Sequence, residues 1–182
     1  MKRKRDAASV KSVLKDGTIL WRDKDGKRHR VDGPAVVTPD GIETWYLHGE
    51  THREDGPAVK WPRGEHWYRN GRKHREGGPA VTTSDGLEEW YIHGKLHRDD
   101  GPAQIFPQGD KRWYRRGKLH REDGPAYEGA DGTKLWFRDD KKLSEDEFKA
   151  LRAKELAAIA ESLKAGLDHK GSLMRPLSYK KP

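Results

Sequence analysis

"GPAVTTSDGLEEWYIHGKLHRDD", residues 78–100, is one unit of a pattern that recurs along most of the chain. The glycine of its Gly-Pro-Ala triplet falls at Gly33, Gly56, Gly78, Gly101 and Gly124, at spacings of 23, 22, 23 and 23 residues. Two more ladders keep the same period. One is aromatic: Trp21, Trp45, Trp67, Trp90, Trp113 and Trp136. The other is the glycine of a tight turn: Gly17, Gly41, Gly64, Gly86, Gly109 and Gly132. Three ladders with one period define a repeat architecture.

Each unit reads as a hairpin. Gly-Pro opens an extended segment, because proline suits the first residue of a strand and turns its predecessor away from helix. "AVTT" is then a strand, "SDG" a turn in which Asp-Gly suits type I′, and "LEEWYIH" the return strand. "GKLHRDD" connects to the next unit. A lone hairpin is marginal in water, so the units must stack. With strands about 4.8 Å apart, a unit advances the array by roughly 9 to 10 Å. The expected fold is mostly β, an elongated array of about six antiparallel β-hairpins over residues 16–143.

Neighbouring residues of a strand face opposite ways. The tryptophans, expected to pack as a structural core ladder, therefore oppose Tyr46, Tyr68, Tyr91, Tyr114 and Phe137, which are the candidate partner-binding face. Leu, Ile, Val and Phe number only 29. A chain so poor in aliphatics builds a core only if its aromatics recur in register.

After the sixth unit the pattern stops. Ser144 with Glu147 forms a capping box, and Phe148, Leu151, Leu156, Ile159, Ala160 and Leu163 fall on one helical face. A helix is expected over about 145–165, within a 144–166 segment closed by Gly166 and Leu167, laying that face over the last hairpin as a cap.

The net charge of +8 is carried by the ends. Residues 1–15 carry +5 and residues 168–182 carry +3, which leaves the body neutral. The 1–15 segment and the 167–182 segment read as basic tails. Lys2, Arg3, Lys4, Arg5, Lys180 and Lys181 are the candidate grip on a polyanion, either nucleic acid or an anionic membrane surface.

Five junction pairs recur: His29-Arg30, His52-Arg53, His74-Arg75, His97-Arg98 and His120-Arg121. Equivalent histidines roughly 9 to 10 Å apart do not share one ion, since zinc ligands each sit about 2 Å from it. The expectation is structural: histidine bonds backbone in the connection, and arginine pairs with the acids that follow such pairs, its own or those of the next unit. No metal and no cofactor is expected. The chain has no cysteine, phosphate loop, nucleophile elbow or metalloprotease motif, so an enzyme is not expected. The basic start lacks a following apolar run, and the host-cell interior or a virion is the expected location.

The units "WYLHG", "WYRNG", "WYIHG" and "WYRRG", each followed by His-Arg-acid-Asp-Gly-Pro-Ala or a close copy, resemble MORN-like variant repeats of phage and bacterial proteins. The resemblance covers about residues 16–143. It implies a non-catalytic interaction or scaffold module, phage coding and another protein as partner. Stacking at the array's exposed end would continue the sheet, which makes a homodimer a further option. The polyanion reading of the tails stands as the alternative.

Overall fold

The structure is a computed structural model, and it describes residues 9–169. Thirteen short antiparallel strands form one open sheet whose order follows the chain. Six hairpins supply twelve of them: Val10–Val13 with Ile19–Arg22, Val36–Val37 with Glu43–Thr44, Val59–Trp61 with Gly64–His66, Val81–Thr83 with Glu88–Glu89, Gln104–Ile105 with Lys111–Arg112, and Tyr127–Glu128 with Lys134–Arg138. Lys141–Leu143 closes the series. The mostly β repeat array with a C-terminal helix is thus the observed fold.

The return strand is not continuous, which corrects the reading of "LEEWYIH". In the four inner units it breaks at the tryptophan, and its second half joins a separate hairpin. These second-tier hairpins pair Tyr46–Leu47 with Glu50–Thr51, Tyr68–Arg69 with Arg72–Lys73, Tyr91–Ile92 with Lys95–Leu96, and Tyr114–Arg115 with Lys118–Leu119. The tryptophan is the crossing point because its two backbone groups serve different tiers. Trp45 N–H donates to the Ala58 carbonyl of the next unit at 2.8 Å, while the Trp45 carbonyl accepts His52 N–H at 3.1 Å. Trp136 has no following unit, and there the strand Lys134–Arg138 runs on unbroken and pairs with Lys141–Leu143.

Turn chemistry is also redistributed. The first-tier turns are three-residue loops in which only the glycine has positive φ, as at Gly41 and Gly86. In the loop after Thr38, Gly41 N–H donates to Thr38 and Thr38 N–H to Ile42, the pattern of a type I turn with a glycine bulge. Pro39 fits that turn, since its ring fixes a negative φ. The type I′ turns belong to the second tier, where His48-Gly49, Asn70-Gly71, His93-Gly94, Arg116-Gly117 and Asp139-Asp140 all have positive φ. Gly64 departs from its ladder: it is a strand residue paired with Trp61 across a two-residue turn. The residue missing from that turn accounts for the one spacing of 22.

The core is narrow. Ala35, Ala58, Ala80, Ala103 and Ala126 are fully buried, with Leu20, Val81 and Phe148 beside them. The tryptophans are half-buried rather than the main core, because each ring borders the corner between units instead of lying beneath a second sheet.

Residues 10–13, expected within a basic tail, are the first strand. Lys2, Arg3, Lys4, Arg5, Lys180 and Lys181 lie outside the described residues. The helix, α1 (Glu145–His169), begins at its capping box, with Ser144 N–H donating to Glu147 at 2.7 Å and Glu147 N–H to Ser144 Oγ at 3.2 Å. It runs through Gly166 instead of ending there; a helix tolerates one glycine at a cost of about 1 kcal/mol. Among its described side chains, only those of the first turns dock. Phe148 is buried and Arg138 forks to Glu155, whereas Leu151, Leu156, Ile159 and Leu163 are exposed. Among the described side chains the expected cap is therefore confined to Phe148 and the Arg138–Glu155 pair, since Leu151, Leu156, Ile159 and Leu163 have nothing covering them.

Candidate functional site: a row of corners and clefts

The repeated heptad, His-Arg-acid-Asp-Gly-Pro-Ala in full form, builds the corner between one unit and the next. In the second corner, Arg53 Nε donates to Asp55 at 3.1 Å and its Nη1 to the Pro57 carbonyl at 3.4 Å. Its guanidinium stands 4.2 Å from the centroid of Trp45, a cation–π contact. Arg30, Arg75, Arg98 and Arg121 repeat this contact over Trp21, Trp67, Trp90 and Trp113 at 4.0–4.2 Å. The Arg side-chain bonds hold Asp32, Asp55, Asp100 and Asp123 below the usual carboxylate range. The expected pairing of arginine with acids of its own unit or the next takes the own-corner form at four corners, and Arg121 also donates to Glu128 of the next unit at 2.9 Å. At the third, Gly77 stands where the aspartate should be, and Arg75 keeps only Pro79 at 3.0 Å and a longer approach to Glu65.

The glycine's part was not read from sequence. A Cβ on Gly33, Gly56, Gly78, Gly101 or Gly124 would lie 2.8–3.2 Å from the Cζ of the arginine three residues earlier. Each glycine makes room for a guanidinium. The signal was present in the sequence as a constant Arg-to-Gly offset.

The histidines bond backbone as expected, but across units. His48, Asn70, His93, Arg116 and Asp139 open the next unit's second-tier turn. Their N–H groups donate to Nδ1 of His29, His52, His74, His97 and His120 at 3.1–3.4 Å. An acid two residues after the histidine faces its Nε2 at four corners: Glu54 at 2.9, Asp99 at 3.4, Glu122 at 3.5 and Glu76 at 3.7 Å. In the first corner Val31 takes that place, and His29 Nε2 is buried without a partner.

Asp23, His29 and His48 bring three potential ligand atoms within 4.8 Å of one another. The arrangement does not suit a cation. The two imidazoles are stacked, 4.2 Å between centroids and 26° between planes, so their in-plane lone pairs run side by side instead of converging. His29 Nδ1 is occupied by the His48 N–H, and Asp23 Oδ1 accepts the amides of Asp25 and Lys27. Burial disfavours the Asp23 carboxylate, but His48 and those amides outweigh it and hold the group below its usual range.

Three clefts open between successive corners. The first is lined by Val31, Leu47, Trp45 and Glu54, the second by Trp67, Arg69 and Glu76, and the third by Trp113, Tyr114, Arg115, Glu122 and, from α1, Arg152. The last has a volume of about 650 Å³. Leu47, Arg69 and Arg115 were not singled out from sequence; each lies two residues after a tryptophan, the offset that returns a strand residue to the same side. Of the candidate aromatic face, Tyr114 borders a cleft. Tyr46, Tyr68, Tyr91 and Phe137 are half-buried and line none of these three. Lys73 lies 4.8 Å from the Tyr91 ring, and burial, then Glu89, pushes the Tyr91 hydroxyl up to about 12.

No family model matches the chain, and no curated protein matches it.

Proposed function

We propose that the chain is a non-catalytic protein-interaction module of the MORN-like type, with the corner clefts as the surface that receives the partner. The observation that carries this reading is the recurrence of one constellation, a half-buried tryptophan between the charged groups of two successive corners, with a cleft beside it in at least three places. Aromatic and arginine side chains dominate the energetics of protein interfaces, and here both are already immobilised before any partner arrives. The corner histidines are bonded between units and the arginines within their own corners, so they serve the architecture instead of standing ready as acids, bases or nucleophiles.

The test is capture of partner proteins by the full chain after nuclease treatment, beside a variant carrying Arg69→Glu and Arg115→Glu together. These side chains line clefts and pair with the corner acids Glu54 and Glu122, but take no part in the arginine–tryptophan stacks of the corners. Retention of a defined protein by the parent and its loss with the paired variant supports the reading. Capture that survives the paired variant but disappears with Tyr68→Ala and Tyr91→Ala moves the surface to the tyrosine ladder, and capture lost with nuclease moves it to the basic tails.

A further inference from the structure

Five nearly identical ties join the second tier of one unit to the next, and the third differs from the rest in charge. It is His74 Nδ1 accepting the N–H of His93 at 3.2 Å. The bond requires a neutral imidazole, because a protonated Nδ1 would present a hydrogen to a hydrogen. At the second, fourth and fifth ties the donor residue is Asn70, Arg116 or Asp139, and an acid lies within 3.5 Å of the histidine's Nε2. At the third, the donor residue is itself a histidine. Its ring lies against that of His74 with centroids 4.7 Å apart.

We infer that the joint between the third and fourth units is an acid-released latch: protonating His74 removes the inter-unit bond there with no acid in close contact to offset the loss. At the other joints a nearby carboxylate, or a side-chain oxygen at Nδ1 as from Asn70 and Asp139, compensates for it. The groups facing the pair explain the selectivity. His74 is 6% exposed and its Nε2 has no hydrogen-bond partner. Glu76 reaches only to 3.7 Å and is largely in solvent. Arg69 adds positive charge from the same hairpin, and its own guanidinium is drawn to Glu54 of the preceding corner at 3.2 Å. Gly77 supplies no carboxylate where the other corners have aspartate. The first tie also stacks two histidines, but there Asp23 lies 3.3 Å from His48 as a counter-charge.

Burial, reinforced by His93 and Arg69 and opposed by Glu76, holds His74 below the ordinary imidazole range. The sign follows from linkage. The unfolded chain binds the proton more readily, so the tie is intact above about pH 6.5 and weakens as pH falls below that value toward the folded-state pKa. The latch is independent of the interaction reading. It is a property of the array alone, and its failure would leave the clefts' role untouched.

The experiment is amide hydrogen exchange on the full chain without a partner, at about pH 7.5 and about pH 5, corrected for intrinsic exchange. Protection at His93 and Gly94 is expected to fall by about ten-fold or more on acidification, with Asn70 and Gly71 of the second joint little changed. His74→Asn places an uncharged amide oxygen near the position of Nδ1 and is expected to keep protection at both pH values. His93→Asn recreates the pairing of the second joint and is expected to reduce the fall. Equal loss at all five joints, no loss at the third, or an unchanged fall in both variants overturns the inference.

Discussion

A Cβ built on Gly56 would stand 2.9 Å from Cζ of Arg53, the same guanidinium that lies 4.2 Å from the Trp45 ring. The glycine and the arginine are therefore one device. The side chain that cements the corner fits only because its neighbour has no side chain.

Gly56→Ala is expected to cost about 1 to 3 kcal/mol, because a guanidinium pinned by Asp55, Pro57 and Trp45 has to move. In an Arg53→Ala background the same change should cost much less. Urea unfolding of the four proteins in this cycle measures the coupling, and additive losses would show that the pair does not act as one.

Gly64→Ala is expected to be worse, about 3 kcal/mol or more, since the added carbon would meet the backbone carbonyl of Thr82 at 2.2 Å. Gly86→Ala has open space but a φ of +98°, and backbone strain of about 1 to 3 kcal/mol is expected. Thermal unfolding followed by circular dichroism separates the two, and a Gly64 variant as stable as the parent would refute the close strand approach.

Arg116 holds a φ of +53° in a type I′ turn with Gly117. Asparagine adopts that region more readily, and Asn70-Gly71 already does so at the second joint. Arg116→Asn should raise stability by about 0.5 to 1 kcal/mol, read as a higher urea midpoint at unchanged slope.

Phe148→Ala is expected to cost about 3 kcal/mol by emptying a buried position, the only one among the described side chains of α1, whereas Ile159→Glu should change stability by less than about 0.5 kcal/mol. Equal effects at the two sites would mean that the outer helix is covered after all.

Tyr91, raised to about 12, should ionise well above about pH 10 in an ultraviolet titration, and Tyr91→Phe should remove that late step. Its neutral form is favoured in the folded chain. Its contribution to stability is thus complete below about pH 10 and is lost as pH rises toward 12.

The period, the hairpins and the start of the helix were legible because each rests on local chemistry. Gly-Pro opens a strand, a turn glycine supplies positive φ, and Ser144 with Glu147 caps the helix within four residues. That arginine pairs with the acids of the corners was legible too, but not whether its own or the next unit's acid would take it. The split return strand was not. "EEWYIH" alternates like one strand, and nothing within it marks Trp90 as the point where the chain changes tier. That break depends on the Ala103 carbonyl of the following unit, which receives the Trp90 N–H at 2.8 Å.

The histidine ties were hidden for a related reason. His74 and His93 are 19 residues apart, and only the stacking of successive units brings the amide of one to the ring of the other. The helix face showed the opposite failure: its apolar pattern read as a cap, yet burial depends on where the axis points, which no periodicity encodes. The sequence alone determined the repeat, its period and the chemistry within each corner, because those interactions close over a few bonds. Tertiary structure alone decided which unit bonds to which, where the clefts open and how much of the helix is covered. Those outcomes depend on the placement of one unit against another.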